Sequence, residues 1–135
     1  MTANNLTTFT PNALMSIGVN QAIPLGSNFV SNGTAITHTP GSTDITLAPN
    51  QTYQACYTTK ALVNSVGDVA VDLVLNGTTR LFVTGAISGD TPGKYVTLSG
   101  CTILGTTIPP NTLQLVNLNN PTTYAETQVS VVKLA

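Results

Sequence analysis

The sequence predicts an all-β sandwich of about ten short strands and no helix. Two observations carry this. β-rich runs separated by turn clusters recur along the 135 residues, at the spacing of a sandwich. No 3.6-residue apolar periodicity is sustained, and helix-breaking Gly and Pro recur throughout. At this length the chain is one domain, long enough to bury a core.

Strands are expected near 13–19, 28–30, 34–38, 44–48, 52–63, 69–75, 80–87, 94–105, 112–118 and 126–134. The turns between them read as "TPGST", "LAPNQ", "NSVGD", "SGDTPG", "IPPN" and "NNPTT", where Pro presets φ and Gly permits positive φ. Residues 1–12 are polar and of low complexity, and read as a flexible lead-in to a single domain over 13–135. Asn76-Gly77, between "VAVDLVL" and "TTRLFV", is a strong hairpin cue. A four-residue loop there sets Leu73 opposite Phe82, whereas a two-residue loop would set it opposite Arg80. The first register keeps charge off the buried face.

Alternation proposes the core. Val69, Val71, Leu73 and Phe82 form one set. Tyr53, Ala55 and Tyr57 form another, which turns Gln54, Cys56 and Thr58 to the opposite face. Leu113 and Leu115 follow the same rule, as do Ala13, Met15, Ile17 and Val19. The last strand, "TQVSVVKL", has two apolar phases: Val129 with Val131, and Val132 with Leu134. A strand apolar on both faces calls for cover on both.

Charge narrows the function. Charged residues are 7% of the chain and the net charge is −1, with four Lys and Arg in total. A nucleic-acid partner needs a basic patch, and an anionic membrane surface needs one too. Neither partner is expected. No apolar run approaches the ~20 residues of a membrane span. "MTANNLTTFT" has neither the basic nor the apolar region of a signal peptide.

No residue pattern meets the requirements of catalysis. His38 is the single His, so the usual zinc sites are not expected, and it reads as a surface strand residue. Cys56 and Cys101 match no metal or redox spacing. They are read as two buried thiols or as one cross-strand disulfide. The carboxylates Asp44, Asp68, Asp72, Asp90 and Glu126 form no calcium loop and no evident acid pair. An enzyme, a metal site and a cofactor are all unexpected. N-x-T sequons occur at Asn5, Asn32, Asn50 and Asn76, and matter only in a suitable secretory system.

The stretches "GTAITHTPGSTDITLAPNQTYQACYTTKA", "VDLVLNGTTR", "LSGCTIL" and "NTLQLVNLNNPTTYAETQVSVVKLA" resemble the C-terminal domains of bacterial collagen-like surface proteins. That family is typified by the BclA-type glycoproteins of the spore exosporium and is related to the tumour-necrosis-factor and complement globular-head jelly roll. Its collagen-like Gly-X-Y stretch is absent from this sequence. The resemblance implies a ten-stranded jelly roll that forms a homotrimer, with first and last strands side by side in the inner sheet. Combined with the alternation, it points to Gln54, Cys56, Thr58, Val129 and Val131 at the trimer interface. The function it implies is a structural or adhesion module, capping a trimeric stalk on a spore, cell or virion surface. The other reading is a tip module binding a receptor, a glycan or another surface protein. Tyr95 and Tyr124 then serve as ligand contacts, because both read as unburied aromatics in or beside loops.

Overall fold

A computed structural model describes residues 3–10 and 14–135. They form twelve strands: β1 (Asn5–Thr10), β2 (Met15–Ile17), β3 (Ser27–Asn32), β4 (Ile36–Thr37), β5 (Ile45–Leu47), β6 (Thr52–Leu62), β7 (Val69–Leu75), β8 (Thr79–Arg80), β9 (Gly85–Ile87), β10 (Tyr95–Gly105), β11 (Thr112–Asn117) and β12 (Thr122–Lys133). Two sheets pack face to face. The first runs β10-β6-β12-β1-β3, with β2 alongside β12, and the second runs β4-β5-β11-β7-β8, with β9 alongside β7. Every pairing is antiparallel. The order within each sheet is far from chain order, which is the mark of a jelly roll.

The strand count exceeds the expected ten by two, because residues 5–10 form a strand where none was expected and 80–87 does not form one strand. Phe82 has φ +56°, outside the β region, and it separates β8 from β9.

The lead-in expected over residues 1–12 is not what the structure shows for residues 5–10. This segment is β1, paired with β12 on one side and β3 on the other. Leu6, Thr8 and Thr10 point inward and are buried. The polar composition misleads because Thr is β-branched and suits a strand. Its hydroxyl also tolerates burial once bonded. The Thr8 hydroxyl donates to the Ser27 carbonyl at 2.8 Å, and that of Thr10 to Pro24 at 2.9 Å.

The core lies between the sheets. Tyr53, Ala55, Tyr57, Val69, Val71, Leu73, Leu113, Leu115 and Ile17 are buried, as their alternation predicts, and Met15 packs against their cluster. Val19 is half-exposed, and Phe82 is 79% exposed. Ala13 lies outside the described residues.

The β7–β8 hairpin takes neither expected register. Val74 pairs with Arg80 and Leu75 with Thr79, which leaves a three-residue loop, Asn76 to Thr78. Asn76 and Gly77 both have positive φ, the conformation such a loop requires. Arg80 thus stands on the outward face beside Val74, and the buried face is still free of charge.

Candidate functional site

The outward face of the first sheet holds the candidate site. Side chains alternate along each strand, so the core-facing set determines the outward set. On β6 the outward residues are Gln54, Cys56, Thr58 and Lys60. On β12 they are Gln128, Ser130 and Val132, and on β10 they include Tyr95, Ser99, Cys101 and Ile103. Register aligns them in rows. One row runs Ile103, Gln54, Val132, Asn5, Asn32; the next runs Cys101, Cys56, Ser130, Thr7, Val30.

Apolar side chains stand exposed among the polar ones on this face, with Phe29 at the β3 bulge just outside the two rows. Ile103 is 62% exposed, Val132 43%, Val30 43% and Phe29 65%. Phe29 stacks on Phe9 with centroids 3.8 Å apart. Cys56 and Cys101 are register partners, 4.1 Å apart at Cα, and joined by a disulfide. That settles the thiol-or-disulfide alternative. Thr7 and Ser130 hydroxyls meet at 3.1 Å, so each offers less hydrogen-bonding capacity to water. The face carries Lys60 and Glu126, 3.8 Å from each other. Several exposed apolar side chains on one face with little charge suit contact with protein rather than solvent.

The structure divides the predicted interface residues. Gln54, Cys56 and Thr58 lie together on this face, as the alternation of β6 requires. Val129 and Val131 do not: they are 1% and 0% exposed within a single chain. They pair with Thr8 and Leu6 on one side and Tyr57 and Ala55 on the other, all facing the chain's own core. The outward phase of β12 belongs to Val132. Alternation revealed both phases of "VSVVKL", but it does not tell inside from outside. Phe9, Phe29, Val30 and Ile103 carry no signal of exposure in the sequence: Phe9 falls in a polar stretch, Phe29 and Val30 form a two-residue apolar run, and Ile103 neighbours Leu104, which is buried.

The predicted ligand contacts also separate. Tyr95 is 47% exposed, with the Lys60 ammonium 5.3 Å from its ring centroid. Tyr124 is fully buried, and its hydroxyl donates to Asn117 Oδ1 at 2.7 Å. A tyrosine ring can be buried at little cost when its hydroxyl finds an acceptor. Burial raises its phenol pKa well above the usual value, and raises those of Tyr53 and Tyr57.

His38 is not a bare surface residue. Its Nδ1 lies 2.7 Å from Asn28 Oδ1 and 3.3 Å from Thr8 Oγ1, and Nε2 lies 2.9 Å from the Ser42 carbonyl. It ties the β4–β5 connection to β1 and β3. Among the described residues no three His, Cys, Asp or Glu side chains gather as a metal site. Nor, among the described residues, is any helix long and apolar enough to cross a membrane.

No family model matches the sequence, and no curated protein matches it. Solved structures do match the fold. The globular domain of a zebrafish complement 1qA protein superposes with a TM-score of 0.75 at 8% identity, covering 98% of each chain. Eiger TNF from S. frugiperda gives 0.75 at 12% identity, over 100% of this chain and 94% of that one. The PRD1 vertex protein P5 gives 0.59 at 16% identity, over 100% of this chain and 99% of that one. The chain therefore has the jelly-roll fold shared by tumour-necrosis-factor and complement globular domains.

Proposed function

We propose that this chain is a non-enzymatic structural module that self-associates as a homotrimer through the outward face of its first sheet. The supporting observation is that Phe29, Val30, Ile103 and Val132 are all exposed on one sheet face, from one edge strand to the other, with few charges among them. Burial of that area in a subunit interface is favourable at about 25 cal/mol per Å², and there are few charges to desolvate. The interface residues on this reading are Gln54, Cys56 and Thr58, together with Val132 and Ile103 in place of Val129 and Val131.

On this reading three chains associate at the end of a surface or filament protein. The local concentration of the attached strands rises, and their assembly is nucleated. The module then acts in adhesion or coat assembly at an extracellular or virion surface. The resemblance to BclA-type domains of collagen-like proteins favours a spore or cell surface, and the fold likeness to a vertex protein favours a virion. A tip module that binds a glycan or receptor through Tyr95 and Tyr124 has less support, since Tyr124 is in the core.

The test is a pair of substitutions. Val132→Asp and Ile103→Asp place a charge on the outward face without touching the core. Each is expected to yield a folded chain of single-chain mass. Retention of the assembled mass by both variants would refute the assigned face.

A further inference from the structure

The second sheet carries an unusual feature on its own outward side. Asp72 belongs to β7 and is fully buried, yet it faces away from the core. Its Oδ2 accepts from Arg80 Nε at 3.0 Å and from the Phe82 amide at 3.3 Å, and its Oδ1 accepts from the Val83 amide at 3.0 Å. The carboxylate thus holds the segment 80–83 down over the sheet. Arg80 also donates to Thr84 Oγ1 at 2.9 Å. Its guanidinium lies 5.1 Å from the centroid of the Phe82 ring.

The residue held by this arrangement is costly in two ways. Phe82 takes a left-handed φ of +56°, which disfavours a side chain with a Cβ. Its ring is 79% exposed. Neither stability nor solubility is served, and strain of this sort gathers at binding positions.

Arg80 also borders a basin of about 240 Å³ on the same side. Val74 and Val116 form its floor, and both are nearly buried. Asn20, Thr78 and Gln114 contribute to its lining beside Arg80. The Gln114 amide is held by Asp44. The polar groups are mostly uncharged, and the Arg80 charge is balanced by Asp72.

We infer that Phe82, Arg80 and the adjoining basin form a binding platform for pyranose saccharides. The C–H face of a pyranose ring is apolar and weakly positive, and stacks on an aromatic face that is weakly negative. Sugar hydroxyls need amide, hydroxyl and guanidinium partners, which the basin supplies over an apolar floor. A protein partner would need a flat patch many times larger. The platform is on the sheet opposite the proposed assembly face, so it stands or falls independently of the mass of the assembly.

The experiment applies the full chain to an array of immobilised pyranose oligosaccharides. The wild type is expected to bind a subset. Phe82→Gly suits the left-handed backbone, so its Tm is expected to equal or exceed that of the wild type while array affinity falls about fivefold to tenfold, the size of one aromatic contact. Phe82→Tyr retains binding, as does Tyr95→Ala on the first sheet. An array without signal for the wild type overturns the inference. So does undiminished binding by Phe82→Gly, or loss of binding in Tyr95→Ala.

Discussion

Cys56 and Cys101 stand directly opposite each other on β6 and β10 and are joined by a disulfide on the outward face of the first sheet. The bond closes a loop across 45 residues of sequence, so it restricts the unfolded chain strongly. Reduction is expected to lower stability by about 2–4 kcal/mol. Denaturant unfolding with and without a thiol reductant measures this, with alkylation and mass spectrometry to confirm the redox state. An unchanged midpoint in fully reduced protein would contradict it.

β1 is structural, and its loss should be severe. Leu6 pairs with Val131 and is 1% exposed. Leu6→Ala is expected to cost about 2–5 kcal/mol. Removal of residues 1–8 strips most of a strand from between β12 and β3, and is expected to abolish cooperative unfolding. Removal of 131–135 should do the same, because Val131 is the partner of both Leu6 and Ala55. Far-ultraviolet circular dichroism during a thermal scan checks all three. A truncated chain that melts like the wild type would show that β1 is dispensable.

These cases mark how far the sequence was legible. Even alternation in "TYQACY" and "VAVDL" revealed the two-sided pattern of β6 and β7, and Gln54, Cys56 and Thr58 followed from it. Three things depend on contacts between separate strands and could not be read locally. Thr8 and Thr10 go inside because Ser27 and Pro24 offer carbonyls. Val131 rather than Val132 goes inside because of the residues paired beside it. Tyr124 goes inside because Asn117, seven positions earlier and on the opposing sheet, accepts a hydrogen bond from its hydroxyl. The hairpin register was misjudged for a related reason. A four-residue loop keeps Arg80 off the buried face, but the three-residue loop does so too, and Arg80 then meets Asp72 on the outward face.

Three buried phenols set the alkaline limit of the fold. Burial holds the pKa of Tyr53, Tyr57 and Tyr124 above the ordinary value near 10. A group whose folded pKa exceeds its unfolded one contributes stability that is complete below the unfolded value and is lost as pH rises through the folded one. Stability is therefore expected to fall once the pH passes about 10. Phenolate absorbance should report Tyr124 only as the chain unfolds. Tyr124→Phe removes the bond to Asn117 and should cost about 1 kcal/mol at neutral pH, while weakening the alkaline loss. A steeper alkaline loss in Tyr124→Phe would contradict the assignment.

Asp72→Asn tests the support beneath Phe82. One carboxylate oxygen is replaced by a donor, which then faces either the Val83 amide or the Arg80 and Phe82 donors. The expected cost is about 1–3 kcal/mol, with faster hydrogen exchange at the Val83 amide. Arg80 is partly exposed, so solvent takes over some of its lost interaction. An Asp72→Asn protein with wild-type stability and unchanged exchange at Val83 would show that the carboxylate does not hold the turn.

The central claim is that the outward face of the first sheet joins three chains. Light scattering on the purified wild-type chain tests it most directly. The expected result is a mass three times the 13.9 kDa of one chain, reduced to the single-chain value by Val132→Asp. A wild-type mass of one chain, at concentrations where the protein is folded, would contradict it.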